Sequence, residues 1–111
     1  MVERPPQLNA VFTALGDPTR RAILARLRKA PATVTEIAEP FAVSLNAVSK
    51  HLKSLERARL VTRTRVGREH RLSLNAAPLR QAAGWLVDYQ QFWENALDRM
   101  EQELVRRKHR S

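Results

Sequence analysis

Residues 44–58 constrain the fold more than any other stretch, because they divide into two chemically different faces when placed on a helix. One face is apolar and is predicted to be buried; it comprises Leu45, Val48, Leu52 and Leu55. The other face is polar and comprises Asn46, Ser49, Lys50, Lys53 and Arg57. Ser44 is the predicted N-cap, since its hydroxyl can accept a hydrogen bond from a first-turn amide. Such a polar face is typical of a helix that reads a DNA groove, although a solvated surface helix shows the same pattern.

The length and composition limit what the chain can be. Its 111 residues fit one domain, and the absence of cysteine excludes disulfides, thiolate metal sites and cysteine nucleophiles. No apolar run reaches the ~20 residues that a membrane span needs, and the N-terminus has no hydrophobic block, so we expect a cytoplasmic protein. We predict a disordered N-terminus over residues 1–6, one domain over 7–105, and a disordered basic tail over 106–111.

The net charge of +9 is unevenly distributed along the chain. Residues 44–71 contain eight lysines or arginines against two glutamates, whereas residues 88–103 contain five acidic residues against one arginine. A basic central region suits a polyanion such as nucleic acid. The acidic, amphipathic region after it must have another role.

Three shorter helices are predicted before residue 44. The first has helical spacing of its apolar residues Leu8, Val11, Phe12 and Leu15, and Gly16 ends it. Asp17 and Pro18 begin the second, as cap and first helical residue. The third covers residues 33–41 and is capped by Thr33 or Thr35. A short helix, a tight turn and a polar-faced helix form a helix-turn-helix arrangement.

After residue 58 the apolar period changes from 3.6 to 2, which predicts a β-hairpin of residues 60–66 and 70–74 with a turn at Gly67 and Arg68. A hairpin directly after a groove-reading helix is the wing of a winged-helix domain, where arginines can reach phosphates or the minor groove. The alternative is an arginine-rich surface hairpin without a partner. The predicted fold is therefore mainly α with a small β-hairpin, a winged helix-turn-helix of order α-α-α-α-β-β-α that dimerises through its terminal helices.

Residues 79–104 carry a seven-residue apolar repeat, which is the seam that helix pairing requires. One heptad position is occupied by Leu79, Leu86, Trp93 and Met100, and the other by Ala83, Gln90, Leu97 and Leu104. A helix this apolar predicts a dimer interface. The alternatives are a ligand pocket lined by Trp85, Tyr89, Phe92 and Trp93, or core within one chain.

Three motifs make the chain resemble the ArsR/SmtB family of bacterial winged-helix repressors over residues 8–100. They are ALGDPTRRAILARL (residues 14–27), TVTEIAEPFAVSLNAVSKHLKSLERARLV (33–61) and VGREHRLSL (66–74). The resemblance implies a homodimer that represses from a near-palindromic operator and is released by an inducer. Metal sensors of this family use cysteines in the third helix, or histidines and carboxylates in the last. Neither cysteine nor histidine is present in those places here, so we predict no metal site and no cofactor.

The resemblance also draws attention to three single residues. Relatives usually have glycine at the position of Arg59, where a helix end in the left-handed region would cost another residue about 1 kcal/mol. His51 lies at the border of the two faces of its helix, where it either bonds a nearby carbonyl or contacts a phosphate. His70 is predicted to be half-buried in the wing.

The predicted function is a sequence-specific DNA-binding transcriptional regulator, a homodimeric repressor or autorepressor on an inverted-repeat operator. The predicted DNA-binding residues are Ser44, Asn46, Ala47, Ser49, Lys50, His51, Lys53, Arg57, Arg63, Arg65 and Arg68. The predicted dimer-interface residues are Leu8, Phe12, Leu79, Leu86, Tyr89, Gln90, Trp93, Leu97 and Met100. Alternatives are a non-specific architectural DNA binder or a winged-helix module that binds protein; an enzyme is not expected. The partners are double-stranded DNA and a second copy of the chain, with a small-molecule effector left open.

Overall fold

The computed structural model describes residues 6–110, without the side chains of Pro6 and Arg110. The elements in chain order are α1 (Pro6–Leu15), α2 (Pro18–Leu27), β1 (Ala32–Thr33), α3 (Val34–Ala38), α4 (Leu45–Arg57), β2 (Val61–Val66), β3 (Glu69–Leu74) and α5 (Ala77–Arg110). The predicted mainly helical winged helix-turn-helix is confirmed. Pro6 begins α1, so it departs from the predicted disordered segment, the rest of which lies outside the described residues.

The sheet has three strands rather than the two predicted, in the antiparallel order β1-β3-β2. The added strand β1 pairs Ala32 with Leu72 and Thr33 with Arg71. Two residues are too few to show a period, which is why the alternation pattern did not predict this strand. Its effect is to fasten the middle of β3 to the segment that leads into α3.

Three predicted N-caps are present. The Asp17 carboxylate accepts from the Arg20 amide, and the Ser44 hydroxyl accepts from the Ala47 amide at 3.1 Å. Thr33 forms a capping box with Glu36 at the start of α3. This helix ends at Ala38, three residues earlier than predicted, because Pro40 has no amide hydrogen to continue the helical hydrogen bonds.

The end of α4 places Arg59 in the left-handed region, with φ of 60°. The Leu60 amide donates to the Leu55 carbonyl and the Arg59 amide to the Glu56 carbonyl, both at 3.0 Å. These two bonds define a Schellman motif, which normally has glycine at this position. The Asn75 side-chain amide donates to the Arg59 carbonyl at 2.8 Å, and this contact holds the turn in place.

Replacing Arg59 by glycine should raise the free energy of unfolding by up to about 1 kcal/mol, because glycine adopts a positive φ without strain. Denaturant titrations at one protein concentration measure the change. The matched control is Gly67→Ala, which places a side chain at φ of 64° in otherwise open space and should lower stability. A loss of stability in Arg59→Gly would contradict this account of the turn.

The core lies between α4, the other short helices and the inner face of the sheet. Its largest fully buried side chains are Ile23, Ile37, Leu52, Leu55, Leu60, Leu72, Val11 and Val48. The predicted burial of Leu45 is wrong, because this residue is 53% exposed. It is the first residue of α4, and residues 42–46 all lie at the surface, so the core ends one turn further along the helix. His70 is likewise exposed, because the core does not extend to the hairpin tip.

Helix α5 has 34 residues, which corresponds to about 50 Å, and only its first turns pack on the body of the protein. Ala82 is buried and Leu79 and Trp85 are half-buried, whereas the apolar side chains from Leu86 onward are exposed, apart from Ala96. The molecule therefore measures 76 × 28 × 21 Å, and its radius of gyration is 20.4 Å against about 13 Å for a compact chain of this length. The expected disordered tail is wrong as far as Arg110, since the helix continues to that residue. Within residues 6–110 no helix is long and apolar enough to cross a membrane.

Candidate nucleic-acid interface

The polar face of α4 lies at the surface, as the sequence predicts. Asn46, Lys50, Lys53 and Arg57 are exposed, and Ala47 and Ser49 are half-buried between them. The opposite face is covered from Val48 onward, with Val48, Leu52 and Leu55 at 0% exposure. The apolar side of the helix anchors it to the core, and this anchoring presents the amide and ammonium groups outward.

The hairpin of β2 and β3, the wing, ends in a two-residue loop. Val66 pairs with Glu69, which leaves Gly67 and Arg68 at the tip. Gly67 has a positive φ of 64° and Arg68 does not, the sign pattern of a type II′ turn. Arg68 is exposed at the tip, and the Arg65 Nε donates to the Gly67 carbonyl at 2.9 Å. The turn therefore presents the Arg68 guanidinium to solvent and orders that of Arg65.

Arg63, predicted to contact DNA, forms an ion pair with Glu56 of α4. Its guanidinium donates to the Glu56 Oε1 from both Nη2, at 2.7 Å, and Nε, at 3.2 Å. Both side chains are 30% exposed, so the ion pair is partly shielded from water. It connects the wing to the last turn of α4 and fixes the angle between the two predicted DNA-contacting elements.

His51 contacts α2 rather than a carbonyl. Its Nδ1 lies 3.4 Å from Arg20 Nη1 and 3.8 Å from the Asp17 carboxylate. The same guanidinium donates from Nε to the Ala14 carbonyl at 2.8 Å and from Nη2 to the Thr13 carbonyl at 3.0 Å. This role of Arg20 was not predicted from the sequence. The available signal was an arginine placed just after a helix that ends at Gly16, where unpaired carbonyls need donors.

The N-terminal cap of α2 shifts the acidity of Asp17. The Arg20 backbone amide donates to this carboxylate and lowers its pKa below the usual value, and the nearby charges of His51 and Arg20 act in the same direction. In α3, the hydrogen bonds from Thr33 lower the pKa of Glu36 in the same way. Both carboxylates therefore stabilise the fold in their ionised form.

The stabilising effect of Asp17 should depend on pH. Its pKa is lower in the folded protein than the ~4 of the unfolded chain, so its contribution is complete above pH ~4 and is lost as the pH falls through the folded value. The difference in unfolding free energy between the wild type and Asp17→Ala should thus be largest near pH 7 and shrink towards pH 3. Asp88→Ala, in exposed α5, controls for removing a charge. A difference that stays constant with pH would contradict the assignment.

The predicted dimer residues divide into two groups. Leu8 is 7% exposed and belongs to the core of its own protomer, and Phe12 and Leu79 are half-buried against that core. By contrast, the predicted apolar residues further along α5 are 48–61% exposed; they are Leu86, Tyr89, Trp93, Leu97 and Met100. Gln90 is also exposed and donates to Glu94 at 3.0 Å.

Aromatic contacts connect the exposed face of α5 to α1. Phe12 meets Trp85 edge to face at 5.7 Å, and Trp85 stacks on Tyr89 at 5.0 Å between ring centroids. Tyr89 and Phe92 each lie against Trp93, at 6.1 and 5.5 Å. These rings form one continuous surface along the helix. Among the described residues, no three histidine or acidic side chains are arranged to hold a metal ion.

Comparisons with known proteins agree with this geometry. A family model described as a helix-turn-helix domain matches residues 15–64. The transcriptional repressor SdpR of Bacillus subtilis is 37% identical over 82 residues, which cover 74% of this chain and 91% of SdpR. The HTH-type transcriptional regulator Rv2034 of Mycobacterium tuberculosis is 43% identical over 86 residues, 78% of each chain. The crystal structure of an ArsR family transcriptional regulator superimposes with a TM-score of 0.77 at 40% identity and covers 85% of this chain and 97% of the other. The chain therefore belongs to the ArsR family of winged helix-turn-helix transcriptional regulators.

Proposed function

We propose that the protein is a homodimeric transcriptional repressor that binds an inverted-repeat operator in the cytoplasm and regulates its own gene. The observation that carries the proposal is the joint exposure of two surfaces with different chemistry. One is the polar face of α4 beside the wing, and the other is the apolar face of α5. The first suits duplex DNA, and the second suits a second copy of the chain.

The N-terminal half of α4 enters the major groove. Asn46 and Lys50 are exposed there, and Ser49 lies between them. An amide can form two hydrogen bonds to adenine and an ammonium can donate to guanine, so these groups can distinguish base pairs. They are also in the first half of the helix, the part that touches base edges in helix-turn-helix proteins.

The remaining cations fix the position of the protein on the duplex. Lys53 and Arg57 are exposed further along α4, where they reach phosphates flanking the groove. Arg65 and Arg68 extend from the wing towards the backbone or the adjacent minor groove. Arg63 is assigned no direct contact, because Glu56 already binds its guanidinium.

The exposed face of α5 pairs with the same face of a second chain. A row of apolar side chains that is about half exposed along more than four helical turns is stable in water only when covered. Pairing related by a twofold axis places two α4 helices on one side of the dimer, about 34 Å apart, which matches successive major grooves. A twofold dimer reads an inverted repeat.

The net charge of +9 supports a second candidate, a DNA binder that is indifferent to sequence. Competition with random DNA distinguishes the two, because a specific repressor prefers its site by about 10³-fold or more. The test is footprinting of the purified protein on the DNA immediately upstream of its own gene. Protection of an inverted repeat supports the repressor, and uniform protection supports the architectural alternative.

Alanine substitutions at Lys50 and Arg68 should have different effects on binding to that operator. Lys50→Ala removes a base contact and should weaken binding by roughly 10- to 100-fold with loss of sequence preference. Arg68→Ala removes a phosphate contact, so it should lower the slope of log K against log salt by about one. Binding measured by fluorescence anisotropy between about 50 and 200 mM salt, over which the Debye length roughly halves, resolves both effects.

The matched control is Arg99→Ala, which removes the same charge from exposed α5, away from the wing and α4. It should leave both the affinity and the salt slope close to those of the wild type. Binding by the Lys50→Ala, Arg68→Ala double variant that equals wild-type binding at every salt concentration would rule out this interface.

A further inference from the structure

Helix α1 contacts both the helix assigned to DNA reading and the helix assigned to dimerisation. Towards α5, Phe12 packs edge to face on Trp85 at 5.7 Å. Towards α4, the Gln7 side-chain amide donates to the carbonyl of Ala58, the C-cap of that helix. A change in the position of α1 is therefore transmitted to both helices.

The opposite end of α1 is connected to α4 through one side chain of α2, that of Arg20. Its guanidinium binds the Ala14 and Thr13 carbonyls at 2.8 and 3.0 Å and contacts His51 Nδ1 at 3.4 Å. Arginine presents several donors in a rigid planar fork, so it can hold acceptors from different helices in a defined arrangement. Its backbone amide is bound by the Asp17 carboxylate, which fixes the start of α2 beside the same cluster.

An adjacent arginine shows that a side chain can cap the end of α1 without also contacting α4. Arg21 Nη1 donates to the Leu15 carbonyl at 2.7 Å, at the same helix end. No bond from Arg21 to α4 is present among the described residues. What distinguishes Arg20 is therefore its additional contact with His51. On either side of His51 in α4, Lys50 is exposed and Leu52 is buried in the core.

We propose that Arg20 is a positioning residue for operator recognition: by joining the end of α1 to His51, it sets the orientation of α4 relative to the dimer. The inference rests on the proposed function. Base contacts depend on side chains held within about 0.5 Å of their productive positions, whereas phosphate contacts are less demanding. Loss of Arg20 therefore impairs recognition of the specific site more than binding to DNA in general.

The test compares Arg20→Ala with Arg21→Ala, since both remove an arginine from the end of α1. The probe is the duplex that the wild-type protein enriches from a random-sequence pool, with an unselected duplex as the reference. For Arg20→Ala we expect affinity for the enriched duplex to fall about tenfold, the scale of one charge-assisted hydrogen bond, while affinity for the reference stays within about twofold. Arg21→Ala should preserve the ratio of the two affinities.

The salt dependence distinguishes positioning from a direct contact. Arg20→Ala should leave the slope of log K against log salt unchanged, whereas loss of a phosphate contact would lower it by about one. His51→Ala keeps both bonds of Arg20 to α1 and removes the contacts of α4 with Arg20 and with the Asp17 carboxylate. His51→Ala should therefore lower the ratio of the two affinities even if Arg20→Ala unfolds. The Arg20→Ala, His51→Ala double variant should lower this ratio no further than Arg20→Ala alone.

Each of three results would overturn the proposal. A slope lowered by about one in Arg20→Ala would make Arg20 a phosphate contact, and equal losses for Arg20→Ala and Arg21→Ala would make it only a helix cap. Wild-type specificity in His51→Ala would show that the connection to α4 has no role in recognition. If the wild type enriches no duplex at all, the proposed function fails and this inference fails with it.

Discussion

Replacing Trp93 and Leu97 by glutamate is expected to convert the protein from a dimer into monomers and to weaken operator binding by at least about 100-fold. These side chains are 49% and 57% exposed on α5 and lie in the heptad seam, so pairing would bury both new carboxylates without a partner charge. A monomer binds a single half-site and loses the 10²–10⁴ advantage of two linked contacts. Analytical ultracentrifugation gives the mass, and anisotropy titration of the operator gives the affinity.

The matched control places the same two charges on the opposite side of the same helix, as Gln91→Glu with Gln102→Glu. Both glutamines are exposed and lie roughly 130–150° around the helix from the centre of the seam. This variant should remain dimeric and bind the operator. A dimer that persists at nanomolar concentration in the Trp93→Glu, Leu97→Glu variant would place the interface elsewhere.

Leu52→Ala should lower the free energy of unfolding by 2–5 kcal/mol, on the order expected for a leucine truncated in a packed core. Leu52 is 0% exposed on the inner face of α4 and belongs to the cluster that anchors this helix to the rest of the protein. The substitution leaves a cavity directly behind the polar face. Denaturant titration at a fixed protein concentration measures the loss, which keeps the dimer contribution constant.

Leu45→Ala is the control for that experiment, because it is the same substitution seven residues earlier on the same predicted face. Leu45 is 53% exposed, so its removal should change stability by no more than about 0.5 kcal/mol. Equal losses of stability at the two positions would mean that the apolar face of α4 is buried along its whole length, including Leu45.

The helical period predicted the two faces of α4, its cap and its neighbouring wing, because these depend on local spacing and on the chemistry of the first turn. The same period could not show that Leu45, at the start of α4, lies outside the core. The extent of the core along a helix is set by what packs against that helix. Strand β1 was missed for a related reason. Ala32 and Thr33 become a strand only because Leu72 and Arg71 lie beside them.

The candidate site shows the same division. The exposed cations of α4 and the wing tip followed from sequence, since they lie on the polar side of a helical period and in a two-residue hairpin turn. The two pairs that organise the site, Arg63 with Glu56 and Arg20 with His51, join residues 7 and 31 positions apart. A charge count cannot separate an arginine that faces solvent from one that is bound to another element, so Arg63 was assigned to DNA and the contact of Arg20 with His51 was not predicted.

The bond between Glu56 and Arg63 has a consequence for the kind of half-site that can be read. Because the ion pair fastens the hairpin to the last turn of α4, the helix and the wing form one rigid unit. The distance between their predicted DNA-contacting side chains is therefore fixed. A half-site with one base pair inserted between the two contact points presents the second contact about 3.4 Å further along and rotated by roughly a tenth of a turn. We therefore expect that α4 and the wing cannot both reach their contacts on such a half-site, so that its internal spacing affects affinity as strongly as its base sequence does.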